Sequence, residues 1–261
     1  MTKVIAVVNQ KGGVGKTTTT INVGAGLGHH GRKVLLVDLD GQGNLSRGLN
    51  CTPQTREQFT VRDAMMQSAN GVLIDPKKGI ITNPIDRVDV MPANVDLLSF
   101  EYSIKDDPRA VTLLKSYMNQ VRPLYDYIMI DCSPSLGIMT QNALVAADSV
   151  MIPVDPEFFG VEGVKTITTT MRKIRRKLNP RLDLEGIVIV RRNNVSNAKR
   201  HNAKEIRRFF GEKVYETELP SSVKASEAEE RGISLLSYMP RNHLAKAYAS
   251  LVEEVLAHEQ Q

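Results

Sequence analysis

The chain has 261 residues, 41% of them hydrophobic and 24% charged, with a formal net charge of +5. That is enough for one large α/β domain or two small ones, with room for a sizeable core. Its longest apolar runs, such as Val4 to Val8 and Val34 to Val37, have strand length and fall far short of the ~20 residues of a membrane helix, and the segment after Met1 lacks the order of a secretory signal, so a cytosolic location is expected.

The first apolar run, Val4 to Asn9, reads as a strand, and Thr17 to Gly28 reads as a helix. Between them lies Lys11-Gly12-Gly13-Val14-Gly15-Lys16-Thr17-Thr18. A glycine loop leaving a strand and opening a helix is the setting of a phosphate-binding loop. Glycines let backbone N–H groups turn inward and approach phosphate oxygens closely, and the helix N-terminus adds donors and a positive dipole end. In that reading Lys16 reaches the β- and γ-phosphates of ATP, the Thr17 hydroxyl coordinates Mg²⁺, and Thr18 is placed for the α-phosphate. His29 and His30 close the helix and are expected to complement its C-terminal dipole rather than to bind metal.

The second strand, Val34 to Asp38, delivers two carboxylates, Asp38 and Asp40, at its C-terminal end, where open α/β sheets bind ligands. Alternation along a pleated strand would point both the same way for as long as strand geometry continues. Residues Asn50 to Asp86 are the least regular part, with a short helical pattern at Val61 to Met66, and no function is readable there. A strand at Val88 to Met91 and a helix at Ala110 to Val121 follow. Tyr127 to Asp131 is another buried strand, and Asp131 is the expected Walker B carboxylate, holding Mg²⁺ through water. Strands at Val150 to Pro153 and Leu184 to Val190 and helices at Val161 to Leu178, Lys199 to Phe210 and His243 to His258 complete the series. The alternation implies one α/β domain over residues 1–261, a doubly wound and mostly parallel sheet flanked by helices, with no repeat or long linker.

Cys51 and Cys132 are the only cysteines, without the spacing of a zinc or redox site. The charge is unevenly spread. Residues 165–213 carry fifteen Lys and Arg against four acids, an excess of eleven positive charges that leaves the rest of the chain at −6. Such a run is either a surface for polyanions or a solvated face. Within it Arg200, Lys204, Arg207 and Arg208 recur at i, i+4, i+7 and i+8, a stripe along one side of a helix.

The lysine ahead of the first loop glycine carries a resemblance. The segments NQKGGVGKTTTTIN (Asn9 to Asn22), VLLVDLDGQGNLS (Val34 to Ser46), YDYIMIDCSPSLG (Tyr125 to Gly137) and LPSSVKASEAEERG (Leu219 to Gly232) together resemble the deviant Walker A ATPases, and in particular the ParA/Soj partition ATPases, over nearly the whole chain. The resemblance implies that Lys11 reaches the nucleotide of a partner subunit in an ATP-bound homodimer. It further implies that Asp40 orients the attacking water, that Asp38 lies in the outer magnesium shell, and that the adenine is held near Pro220 to Val223. Arg200, Arg208 and Lys224 match basic positions that such proteins use to bind double-stranded DNA without sequence preference, and a ParB-like or cargo-adaptor protein is expected to stimulate hydrolysis. Gly41 and Ser133 depart from the family pattern, which usually has proline at the first and often at the second. Both departures loosen loops beside the site, and slow hydrolysis would be in keeping with them.

The resemblance leaves alternatives. The same cycle could position a protein cargo on the nucleoid. A MinD-like membrane ATPase would end in a basic amphipathic helix, whereas Leu251 to Gln261 has three acids and no Lys or Arg, so no membrane partner is expected. Iron–sulfur relatives need two cysteines facing the dimer axis, which the placement of Cys51 and Cys132 does not suggest. No helix-turn-helix domain is expected ahead of the first strand.

Overall fold

The structure, a computed structural model, describes residues 2–55, 57–156, 160–191 and 197–258. Among the described residues eight strands form one sheet: β1 (Lys3–Val7), β2 (Val34–Leu39), β3 (Ile81–Asn83), β4 (Val88–Met91), β5 (Tyr127–Cys132), β6 (Ser149–Val154), β7 (Asp183–Arg191) and β8 (Val214–Pro220). Their order is β3-β4-β2-β5-β1-β6-β7-β8, parallel throughout except for β3 at one edge. The expected mostly parallel α/β fold is therefore what the chain adopts. β3 and β8 escape sequence reading because they are edge strands: the first has three residues, and the second carries exposed Glu216 and ends in a proline.

Helices cover both faces. On one lie α1 (Lys16–His29), α2 (Asn44–Gly48), α9 (Lys224–Glu230), α10 (Leu235–Tyr238) and α11 (His243–Ala257); on the other lie α3 (Val61–Ala69), α4 (Asp96–Ser103), α5 (Leu113–Val121), α6 (Ile138–Ala146), α7 (Gly160–Lys177) and α8 (Asn197–Phe210). Strand alternation divides the core accordingly. Leu35, Val37, Ile128 and Ile130 join the α3–α8 layer, while Val34, Leu36, Tyr127 and Met129 join the α1 layer. Asp38 and Asp131 continue the second set, so both carboxylates belong to the face on which α1 packs.

Five helices, α2, α4, α6, α9 and α10, were not legible as helices. Four of them are eight residues or fewer. The fifth, α6, buries seven of its nine residues and so shows no polar stripe to mark its period. α11 places Leu244, Tyr248, Leu251, Val252 and Val255 in the core beside α1, so its apolar face is already covered. No described helix is long and apolar enough to cross a membrane.

Candidate nucleotide site

The loop from β1 to α1 places the glycines as expected. Gly15 N-caps α1 at φ +86°, Gly13 has φ +67°, and a Cβ on Gly12 or Gly15 would meet no heavy atom within 4 Å. A left-handed turn thus leaves open space in front of the helix N-terminus, the geometry an anion requires. Lys16 folds back over the loop, donating from Nζ to the Lys11 carbonyl at 3.3 Å. Burial pulls its pKa down, and the negative charge of Asp131 opposes that shift.

Behind the loop, Asp38 and Asp131 stand opposite one another in the β2–β5 register, and Val7 of β1 flanks Asp131 on its other side. Thr17 Oγ1 donates to Asp131 Oδ2 at 2.7 Å. Asp38 accepts from Ser46 N (2.9 Å) and Ser46 Oγ (2.6 Å) through Oδ2, and from Asp40 N (3.1 Å) through Oδ1. Both carboxylates are fully buried. Burial pushes Asp38 up to about 6 against its hydrogen bonds. Asp131 is raised well above the usual range by burial and then by the charge of Asp38, with the Thr17 bond and Lys16 pulling the other way. Two close buried carboxylates and a hydroxyl form an all-oxygen set, the chemistry that suits a hard cation shared with phosphates.

Strand geometry stops at Leu39, so the expected alternation does not carry through to Asp40. Asp40 instead begins a turn, accepts from Gln42 N at 3.0 Å, and faces a cavity of about 760 Å³. That cavity is walled by Gly12, Gly13, Gly15, Lys16, Thr17 and Thr18, by Gln42, Asn44, Arg47 and Gly48 around α2, by Pro134, and by Ser226, Glu229 and Glu230 of α9. Pro220 and Val223 are not on this wall. Val223 N-caps α9 and is 72% exposed, and the residues that α9 turns to the cavity come one and two turns later. Glu229 was not foreseen. Its carboxylate accepts from Thr18 Oγ1 at 2.7 Å, and burial raises its pKa.

Lys11 lies elsewhere. It is exposed and borders a separate hollow of about 420 Å³ with Asn9, Gln10, Val14 and Asp155. Val14 itself is buried beneath the loop.

The basic stripe divides. On α8, Ala203 and Ile206 are buried, while Arg200, Lys204 and Arg208 are exposed, Arg208 with a 3.7 Å contact to Glu205. Arg207 turns the other way, donating to the carbonyls of Tyr215 (3.0 Å) and Glu216 (3.2 Å) and to the Glu218 carboxylate (3.2 Å). Arg207 therefore fastens α8 to β8, and the expected four-residue stripe is a three-residue one, because the Arg207 guanidinium is engaged by the β8 carbonyls and the Glu218 carboxylate. Lys224 is bound by Glu227 at 2.7 Å. Arg192, inside the basic segment, lies outside the described residues, as do residues 259–261 of the C-terminal stretch.

Cys51 and Cys132 are buried, and burial raises both thiols, Cys51 to about 11. Neither has the exposed, thiolate-favouring setting of a cluster ligand. His30 donates through Nδ1 to the Gly26 carbonyl at 2.8 Å, closing the C-terminal end of α1 as expected.

The sequence profile of a family described as AAA domain matches residues 2–184. Sporulation initiation inhibitor protein Soj of Bacillus subtilis is 39% identical over 257 residues, covering 98% of this chain and 99% of its own. Chromosome partitioning protein ParA of Caulobacter vibrioides is 38% identical over 259 residues, covering 98% and 95%. Among solved structures, cobyrinic acid a,c-diamide synthase from Mycobacterium smegmatis with bound ATP analog and magnesium superposes with a TM-score of 0.85 at 28% identity, covering 100% of this chain and 96% of the other.

Proposed function

We propose, from the premise that this chain belongs to the AAA-domain family and within it to the Soj/ParA partition ATPases, that it is an ATP-driven switch: a Mg²⁺-dependent ATPase that dimerises around ATP, binds DNA without sequence preference in that state, and lets go when a ParB-like partner stimulates hydrolysis. Partition of a chromosome or plasmid on the nucleoid, in the cytoplasm, is the process this cycle serves.

The residues divide the work. Gly12 to Thr18 cradle the triphosphate, with Lys16 as the cation on its β- and γ-oxygens. The donor set fits Mg²⁺, which Thr17 would hold directly and Asp131 and Asp38 through water. Bound there, the ion would neutralise charge on the transferred phosphoryl group. Asp40, facing the cavity from the turn after β2, orients the attacking water. Arg200, Lys204 and Arg208 meet DNA phosphates, with Lys224 contributing once released from Glu227.

The observation that carries the dimeric reading is the position of Lys11. It is exposed and borders a hollow separate from the candidate nucleotide cavity, as suits a cation acting on a partner's nucleotide in the manner of an arginine finger. The test is co-sedimentation with plasmid DNA. Asp40→Ala with MgATP should stay dimeric and DNA-bound while the unaltered protein cycles off. An Asp40→Ala protein that hydrolyses ATP at the normal rate sinks the water-orienting role.

A further inference from the structure

Two loops frame the acidic side of the cavity: residues 40–43 after β2 and residues 133–137 after β5. Both lean on α4, a helix that contributes no residue to the cavity wall. Leu98 meets the first loop. A Cβ built on Gly41 would stand 2.5 Å from Leu98 Cγ and 2.7 Å from its Cδ2. Glu101, one turn later, meets the second. A Cβ on Gly137 would stand 2.8 Å from Glu101 Oε1, and the same oxygen accepts from Met139 N at 3.3 Å, at the start of α6.

Residues 98 and 101 share a helix face. Neither glycine sits in the left-handed region, so the missing side chain provides room rather than backbone freedom. At Gly41 the space is filled by the leucine. Leu98 is nonetheless 50% exposed, a poor position for a core residue, which makes its contact with the Asp40 loop more notable than its share in the fold.

We propose that α4 is a clamp across these two loops, with Leu98 and Glu101 as positioning residues that keep Asp40 in register with Asp131 for hydrolysis. The proposal rests on the reading of Asp40 as the water-orienting residue. Asp40 precedes Gly41 directly, and its own N–H is tied to Asp38, which is paired with Asp131 across the sheet. α4 supplies the second tie, from outside the sheet. Displacing a catalytic group by about 1 Å costs on the order of a hundredfold in rate, so a fastening of this kind acts on turnover.

The experiment is a mutant cycle on the full chain, reading kcat, KM for MgATP and melting temperature. Leu98→Ala opens the contact and Gly41→Ala overfills it; each should lower kcat by about ten- to a hundredfold with KM and melting temperature little changed. The double variant should recover most of the loss suffered by Gly41→Ala, because its methyl enters space the leucine has left. Glu101→Gln, which keeps an oxygen for Met139 N, should retain kcat, and Glu101→Ala should not. Unchanged kcat in Leu98→Ala, or a double variant carrying the product of both losses, overturns the clamp. Asp40→Ala tests the underlying reading separately: normal turnover there removes the role of Asp40 and the clamp with it, whereas lost turnover there leaves the Gly41 and Leu98 cycle to decide the clamp.

Discussion

Thr18 Oγ1 donates to Glu229 Oε1 at 2.7 Å, joining the first turn of α1 to a helix 211 residues later in the chain. The bond spends the one hydroxyl proton that Thr18 could offer an α-phosphate, and it leaves a half-buried carboxylate facing the cavity where a triphosphate would sit. Glu229→Gln keeps an acceptor for Thr18 and removes the charge. At an effective dielectric of ~20 the relief is on the order of 1 kcal/mol, so ATP should bind roughly five- to tenfold more tightly by titration calorimetry. Weaker binding would show that the carboxylate itself serves the nucleotide.

Lys11 and Lys16 should separate binding from assembly. Lys16→Ala removes the cation closing the loop and should abolish nucleotide binding, measured with a fluorescent ATP analogue. Lys11→Ala leaves the cavity wall intact and should keep binding while losing the ATP-dependent dimer in light scattering. Loss of nucleotide binding in both would place Lys11 on its own chain's phosphates.

Neighbouring arginines on α8 should behave differently. Arg208, with its side chain 82% exposed, should weaken DNA binding in all sequences when changed to Ala and reduce the salt slope by about one. Arg207→Ala should instead cost about 1–2 kcal/mol in chemical denaturation, because its charge-assisted bonds to β8 are lost, with the salt slope of DNA binding unchanged.

A stability centre lies away from the site. Asp86 is fully buried and accepts from Ser234 N (2.7 Å), Ser234 Oγ (2.5 Å) and Ser237 Oγ (2.6 Å), tying the segment before β4 to α10. Asp86→Ala strands these donors, at about 1–3 kcal/mol for each that stays buried and unpaired. The melting temperature should fall by several degrees or more, and a shift within error would mean that water replaces the carboxylate.

The phosphate loop was legible because its chemistry is local. Loop glycines, Lys16 and Thr17 must be consecutive for one helix N-terminus to present them together, so spacing alone marks the candidate site. Asp38 and Asp131 were legible for a related reason, since each lies at the C-terminal end of a buried strand, one residue before its last. Glu229 and Leu98 carried no such signal. Glu229 is one of three acids in seven residues of α9, and Leu98 is an exposed leucine on a two-turn helix without a marked period. The basic stripe was half legible. Helical spacing placed four cations near one another, but only the packing of α8 on β8 could show that Arg207 is engaged.

The sequence by itself determined the fold class, the glycine loop between β1 and α1 and the carboxylates behind it, because periodicity and consecutive motifs are properties of the chain. Tertiary structure decided how Asp40 leaves the strand, which helix closes the cavity, which arginines face outward, and that Gly41 makes room for Leu98. Each of these depends on two segments distant in sequence meeting at van der Waals or hydrogen-bond distance, where a single side chain's volume or donor decides the outcome.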